Sequence, residues 1–417
     1  MRTARQRISL LRTSTFLVGT LLGATPAVAD VVTDWNAKTI SYVNAASRPA
    51  PAWILDAAMV HLAMHDAVQA YQQRFGSYNE PIVGASGSPI AAVVTAARDV
   101  LVNRLPPQAA AIHAAYLDYL AHNGLLITDA GVPVGQESAR RMIERRALDG
   151  SFPAIPEVFT GGLQPGMWRP TAPGFQPMSA PWMGDVTPFA LKDVAGVLHE
   201  PGPPHLTSGH YARDYNEVKM LGARFGSSRT AEQTSLANFY SGNFLTIMNG
   251  IARSVTLARG GDIGDSARLL ALVNVSAADA LIAAWSNKRI SPFWRPSTAI
   301  ANGDDDGNRR TDGDPSWLPL FNDPPYPDYT SGANSITAAT MRTLSLFFGS
   351  DTETFTATTT VAGEPARTYT SFSAVADDVV NARVYMGIHF RFADEVARRQ
   401  GEKAADWAFD HVLKPLE

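Results

Sequence analysis

The sequence predicts an all-α protein built from helical bundles. Apolar residues recur at three- and four-residue spacing in one segment after another. Alternating strand patterns are nearly absent, and no repeat at a fixed period is visible. The chain has 417 residues, 45% of them hydrophobic, which is enough for a large core.

The periodic segments run in order. Ala52 to Tyr71 opens the series, with Ile54, Ala58, Leu62 and Ala63 on one stripe. Ser88 to Arg104, Pro107 to Ala121 and Val134 to Leu148 follow in the same register. From Gly150 to Pro188 proline, glycine and tryptophan become dense, and no helix can run through them. The aromatics and methionines of this stretch argue for an ordered strap lying on the body. Helical spacing returns at Tyr211 to Arg224, Arg229 to Tyr240 and Asn243 to Arg259. Asp265 to Ser286 is the most apolar segment and reads as a central buried helix. Ser335 to Phe348, Ser371 to Met386 and Phe392 to Leu413 complete the set, with Phe355 to Val361 as a short hairpin arm. The acidic stretch Asn302 to Asp314 reads as a solvated loop. An EF-hand counted from Asp304 needs glycine and glutamate where Arg309 and Pro315 stand.

Charge and composition exclude several functions. A formal charge of -4 gives no basic face for nucleic acid. With no cysteine, disulfides, thiolate metal sites and a cysteine nucleophile are all absent. Residues 1–29 read as an export leader. Arg2, Arg5, Arg7 and Arg12 precede the short apolar stretch Thr13 to Gly23, and Ala27-Val28-Ala29 fits a cleavage site after Ala29. Losing four arginines and no acids would take the charge from -4 to -8. No later apolar run approaches the length of a membrane span, so the mature chain is expected to be soluble, without a span, and secreted or periplasmic. The expected layout is an N-terminal helical region, 30–190, carrying the strap 150–188, and a C-terminal helical region, 191–417.

Three segments of the C-terminal region carry chemistry. In Lys288-Arg-Ile-Ser-Pro-Phe-Trp-Arg295-Pro296, two cations can reach one point from a helix end and the loop after it. In Pro327-Asp-Tyr-Thr-Ser331-Gly332-Ala333-Asn334-Ser335, a small turn opens a helix, where free N–H groups attract an anion or a capping side chain. In Arg383-Val-Tyr-Met-Gly387-Ile-His389, arginine and histidine lie about 120° off a common helical face. The helix should therefore end near Gly387 and turn His389 back.

In this order the segments resemble the three-part signature of the vanadium-dependent haloperoxidases and the type 2 phosphatidic acid phosphatase superfamily: Lys-x6-Arg-Pro, Pro-Ser-Gly-His and Ser-Arg-x5-His. Ala63-Met64-His65-Asp66-Ala67-Val68 and Tyr211-Ala-Arg-Asp-Tyr-Asn-Glu-Val, with Arg229-Thr-Ala-Glu-Gln-Thr, are similar to the bacterial haloperoxidase-like branch. The resemblance implies helical bundles with an oxyanion site in the C-terminal half. It implies that Lys288, Arg295 and Arg383 hold the oxygens of vanadate, that Ser331 and Gly332 add neutral donors, and that phosphate can occupy the same site. His389 would bond to the vanadium, and Lys288 would polarise bound peroxide. Trp285, Trp294 and Tyr326 would line the pocket.

The sequence departs from that signature. Ala333 stands where the family has its acid–base histidine, Thr330 replaces a proline and Ala382 replaces a serine. An alanine cannot move a proton, and such help is worth about 10²–10⁴ in rate. Phosphate-ester cleavage, which must protonate a poor leaving group, should suffer more than peroxide activation. The resemblance therefore implies oxidation of bromide or iodide, in preference to chloride, by hydrogen peroxide, with a small organic acceptor. An exported acid phosphatase with a phospho-histidine intermediate, and an oxyanion-binding protein without efficient turnover, are the alternatives. Asn334 can donate a hydrogen bond in place of the histidine, and His61, His65 or His210 could replace it only if the fold brings one near.

Overall fold

The computed structural model describes residues 30–198 and 200–416. The expected leader lies outside these residues. The fold is all-α, with one two-stranded antiparallel hairpin.

The first half contains α1 (Val31–Asn44), α2 (Trp53–Gln72), α3 (Pro89–Arg104), α4 (Ala109–His122) and α5 (Gly131–Arg146). Helix α1 was not anticipated. Its stripe is interrupted by Asn36 and Thr39, both fully buried. Asn36 instead joins a polar network: its amide donates to Asn249, 2.7 Å away, and lies 2.7 Å from His61 Nε2. Asp30 caps the helix by accepting from the amides of Val32 and Thr33.

The strap is ordered, as expected. It buries Trp168, Met178 and Met183. The backbone N–H of Trp168 donates to Pro292 O, and that of Trp294 donates to Gly166 O. The strap therefore fastens the loop that carries Arg295. Its far end is held by Asp279, a buried carboxylate that accepts from the amides of Phe189, Ala190 and Leu191 at 2.6–2.9 Å. Burial pushes the Asp279 carboxyl up to about 6, against the pull of those three amides.

The second half runs through α6 (Val194–Leu198), α7 (Gly209–Leu221), α8 (Ala231–Phe239), α9 (Phe244–Arg259), α10 (Ile263–Ile290), α11 (Pro296–Ala301), α12 (Gly332–Phe348), β1 (Thr352–Ala357), β2 (Arg367–Ser371), α13 (Phe372–Met386) and α14 (Arg391–His411). Helix α10 is the centre, as its composition predicts. It starts at an Asp262–Asp265 capping box and stops at Ser291, where Pro292 follows. By length and composition α10 is long and apolar enough to cross a bilayer, contrary to the expectation that no later run approaches that length. However, 94% of its most apolar window is buried inside the protein. It packs against α2, α12 and α14. The hairpin lies earlier than Phe355 to Val361 and pairs Phe355 with Tyr369. In the acidic loop, Asp304 and Asp306 accept from Gly313, Asn308 and Thr311 within the loop itself.

Two hydrophobic clusters result. The larger includes residues of α1 to α5 together with α10, α12 and α13. The smaller is mostly aromatic and contains Tyr211, Phe293, Trp294, Tyr329, Phe390 and Phe392. Helices α12 and α14 cross closely where Gly401 lies on Ser335. A Cβ at position 401 would stand 2.4 Å from Ser335 O and 2.8 Å from the Ala339 nitrogen. Overpacking of this kind costs about 1–3 kcal/mol. Gly401→Val should therefore lower the thermal midpoint by several degrees, measured by circular dichroism, and should loosen the start of α12.

Candidate oxyanion site

Three chemical side chains of the site are adjacent in sequence to a ring of the aromatic cluster. Trp294 precedes Arg295, Tyr329 follows Asp328, and Phe390 follows His389; all three rings are buried. Phe293 meets Phe390 and Phe392 edge to face, with centroids 5.9 and 5.5 Å apart. The rings anchor the backbone, and so they set where the polar neighbours point.

Helix α13 ends at Met386. Gly387 takes φ 78°, and a Cβ there would stand 2.4 Å from Gly222 O. Only glycine fits this turn, which brings His389 back toward Arg383 as the spacing predicts. Helix α12 begins at Ser331, whose side chain makes no capping bond. The Ser331 hydroxyl accepts from Asn334 Nδ2 at 3.3 Å instead. Gly332 lies against Trp285 so closely that a Cβ would stand 2.8 Å from the ring.

Lys288, Arg295, Arg383 and His389 come together, each at most 8% exposed. Arg295 Nε donates to Tyr326 O at 2.8 Å, and Nη1 donates to Ile388 O at 2.6 Å. Its Nη1 also stands 3.1 Å from His389 Nε2. Arg295 Nη2 and Arg383 Nε are buried without a hydrogen-bond partner in the protein. Burial lowers the pKa of His389 well below the ordinary histidine range, and the positive charges of Arg295, Arg383 and Lys288 lower it further. The imidazole is therefore neutral. The Asp328 carboxylate lies 2.7 Å from His389 Nδ1. Arg295 Nη1 thus faces one ring nitrogen, and the Asp328 carboxyl, whose pKa burial raises well above the usual range, faces the other.

Lys288 is arranged differently from the expectation. Its ammonium donates to Pro327 O at 2.7 Å, Asp328 O at 3.2 Å and Thr330 O at 2.6 Å. An ammonium has three protons, so no donor is left over for an oxyanion or a peroxide in this arrangement. Lys288 holds the loop that leads into α12. Burial, then Arg295, pull its pKa well below the usual lysine range.

A buried cation with an unused donor is costly unless an anion meets it. The free donors of Arg295 and Arg383, around an uncharged imidazole, fit a tetrahedral oxyanion in charge and in donor chemistry. Vanadate and phosphate both meet that description.

A family model described as the VCPO second helical-bundle domain matches residues 268–417, the stretch that holds every one of these side chains. This part of the chain is thus similar to that domain, and the match spans about a third of the chain. Among curated proteins, the vanadium chloroperoxidase of Curvularia inaequalis is 29% identical over 191 residues. That match covers 38% of this chain and 30% of the relative. Among solved structures, the first bacterial vanadium-dependent iodoperoxidase superposes with a TM-score of 0.77 at 24% identity, over 92% of this chain and 97% of that one. The apo form of a bacterial vanadium-dependent chloroperoxidase gives 0.71 at 18% identity, over 87% and 93%. These two likenesses establish the fold along nearly the whole chain.

Several features of the site are not encoded in sequence spacing. Asp328 and Asp394 are fully buried beside the cations. Asp394 accepts from Asn334 Nδ2 at 2.8 Å, so Asn334 is committed to a carboxylate. Asp328 lies inside the second segment, but sequence spacing does not tell which group a buried carboxyl faces. The structure also leaves the three histidines elsewhere. His65 Nε2 faces Gly76 O at 3.1 Å, and burial lowers the pKa to about 4. His61 is held by Ala57 O and Asn36. His210 is half exposed, 3.5 Å from Asp214. None of them lines the cavity in front of Ala333. Trp285 and Tyr326 do line it, whereas Trp294 belongs to the aromatic cluster.

Asp394 gives the site a pH dependence. Burial raises its carboxyl to about 7, opposed by side-chain hydrogen bonds from Ser331 and Asn334 and by Arg383. Below that pH the group is neutral; above it, a carboxylate charge competes with a bound anion. Sulfate, whose own charge is constant over this range, should therefore bind more weakly as pH rises through about 7. Asp394→Asn should flatten that part of the profile, as read by calorimetric titration at several pH values.

Proposed function

We propose that this chain is a haloperoxidase-like enzyme that binds vanadate and uses hydrogen peroxide to oxidise bromide or iodide. The observation that carries the reading is the pair of buried arginine donors without partners, set around a neutral His389. Arg295 and Arg383 would hold the oxygens of the bound anion. His389 would offer its Nε2 lone pair to the vanadium, with Asp328 keeping the proton on Nδ1. The amide of Gly332, at the start of α12, adds a neutral donor and the positive end of a helix dipole. Ser331 adds a hydroxyl.

When bound, vanadate would supply the Lewis acid that activates peroxide toward attack by halide. The overall step consumes peroxide, halide and one proton and yields hypohalous acid and water. The protein's part is to bind the anion, keep the imidazole uncharged and shield the site from water. Lys288 supports the reaction by locking the loop 327–330 rather than by touching peroxide.

Ala333 favours this chemistry over phosphate-ester cleavage. It presents only a methyl group to the cavity, and no histidine lies there to protonate a leaving group. Halide oxidation needs no such leaving-group acid, so the absence costs less. In this reading the chain also carries a cleaved leader at 1–29 and acts outside the cytoplasm.

The test is bromide oxidation by purified, phosphate-free protein with hydrogen peroxide, with and without orthovanadate. Vanadate-dependent bromination is expected, and His389→Ala should abolish it. Ala333→His should raise the rate by about 10² through added acid–base help. Tight vanadate binding without bromination would instead mark an oxyanion-binding protein. Faster turnover of phosphomonoesters than of bromide would mark a phosphatase.

A further inference from the structure

Ala333 lines the cavity, but the next residue, Asn334, meets α14 at Asp394. Asp394 is fully buried. One Asn334 nitrogen spans two groups: it lies 2.8 Å from Asp394 Oδ1 and 3.3 Å from the Ser331 hydroxyl. The two segments are also joined through the backbone, since the Ser331 N–H donates to Ala393 O at 3.2 Å. Asp394 Oδ2 is buried with no hydrogen-bond partner in the protein. A carboxyl thus stands behind the turn that opens α12, with one oxygen engaged and the other free.

The charged groups that act on Asp394 are Arg391 on α14, Arg383 on α13, Lys288 on α10 and Asp328 on the loop before α12. Two of the cations are already engaged: Arg391 is paired with Glu217 at 2.8 Å, and Lys288 is held by three carbonyls. Burial outweighs the cations and raises the Asp394 carboxyl to about 7. Near neutral pH the group is therefore part acid and part carboxylate, and it can both give up a proton and take one back. In the acid form the proton stands on Oδ2, because Oδ1 accepts from Asn334. The neighbouring groups are less suited. Asn334 has no proton to transfer, Asp328 faces the His389 ring at 2.7 Å, and Asp323 is engaged by the Ser297 hydroxyl.

We propose that Asp394 is the proton store of this site and delivers a proton through the Ser331 hydroxyl, in place of a donor at position 333. The proposal rests on the haloperoxidase reading, in which each turnover consumes one proton. In the step, the O–H bond of Asp394 breaks as Ser331 Oγ gains that proton. Ser331 releases its own proton to the peroxide oxygen that departs as water, while the O–O bond breaks and the halide bonds the other oxygen. Ser331 is unchanged overall. Asp394 is left as a carboxylate and regains a proton from water before the next turnover. It touches no reacting atom and acts as a positioning residue behind Ser331.

The experiment compares Asp394→Asn with the unaltered protein, both loaded with vanadate and saturated with bromide and peroxide. Asparagine keeps the shape of the neutral acid and supplies no proton. Below pH 7, kcat should fall about 10²-fold, while vanadate affinity, read by calorimetry, should change less than threefold. In the unaltered protein kcat should fall as pH rises through about 7, where the carboxyl ionises, and in the variant that limb should vanish. Adding Ala333→His to Asp394→Asn should restore kcat at least tenfold, which a merely structural loss would not allow. A readout independent of turnover is the infrared band of a protonated carboxyl, taken as the difference between the two proteins. It should be present below pH 7 and lost above it. If Asp394→Asn does not fold, Ser331→Ala should lower kcat and keep the band. Unchanged kcat in the folded variants, no rescue by histidine, or no such band overturns the proposal while bromide oxidation by the unaltered protein upholds the haloperoxidase reading. No vanadate-dependent bromide oxidation by the unaltered protein refutes that reading and the delivery role together.

Discussion

Two guanidinium groups, withdrawn from water and left with unused donors, set the terms for the rest of this molecule. Arg295 is fully buried and Arg383 nearly so. Lys288, also fully buried, joins them. Collecting like charges in a dry interior is unfavourable by several kcal/mol per ion unless partners compensate. The fold compensates in part. Three backbone carbonyls surround Lys288, and two surround most of Arg295. Asp328 and Asp394 sit in the same volume, but burial raises both carboxyls, so their charge is only partly available. What remains uncompensated is the attraction for an anion. What the folded protein leaves unmatched is a donor on each of Arg295 and Arg383.

Such an arrangement needs a rigid frame, because unmatched cations would otherwise swing out to water. The frame is the aromatic cluster together with α10. Burying a ring of this kind contributes about 1.5–3 kcal/mol. Placing Trp294, Tyr329 and Phe390 next to Arg295, Asp328 and His389 lends that stability to the backbone on which the polar groups stand. The strap closes the frame, since its hydrogen bonds to Pro292 and Trp294 hold the Arg295 loop from outside. Helix α10 ties both halves to one core, and its last turn delivers Lys288. An apolar cavity lies in front of this frame, so the charged and the greasy parts of the site meet at Gly332, Ala333 and Arg383.

The helices were legible because their apolar spacing repeats over many residues and tertiary contacts only reinforce it. Helix α1 was not legible, because its buried face contains Thr39 and Asn36, and Asn36 is satisfied by partners on α2 and α9 that are distant in sequence. The hairpin was half legible. Its first strand was expected three residues late, and the second strand was not expected. Residue type alone made the three segments of the site conspicuous, and the return of His389 followed from Gly387.

The sequence by itself determined the helical architecture, the identity of the cations and histidine that the fold gathers, and the alanine at position 333. Each is a property of local spacing or of residue type. Tertiary structure decided what each group faces. It gave the protons of Lys288 to three carbonyls, set Asp328 beside the imidazole, committed Asn334 to Asp394, and kept His61 and His65 away from the cavity. The physical reason is that a buried donor takes the nearest acceptor the fold provides. That acceptor commonly belongs to another helix or loop, at a separation no sequence spacing encodes.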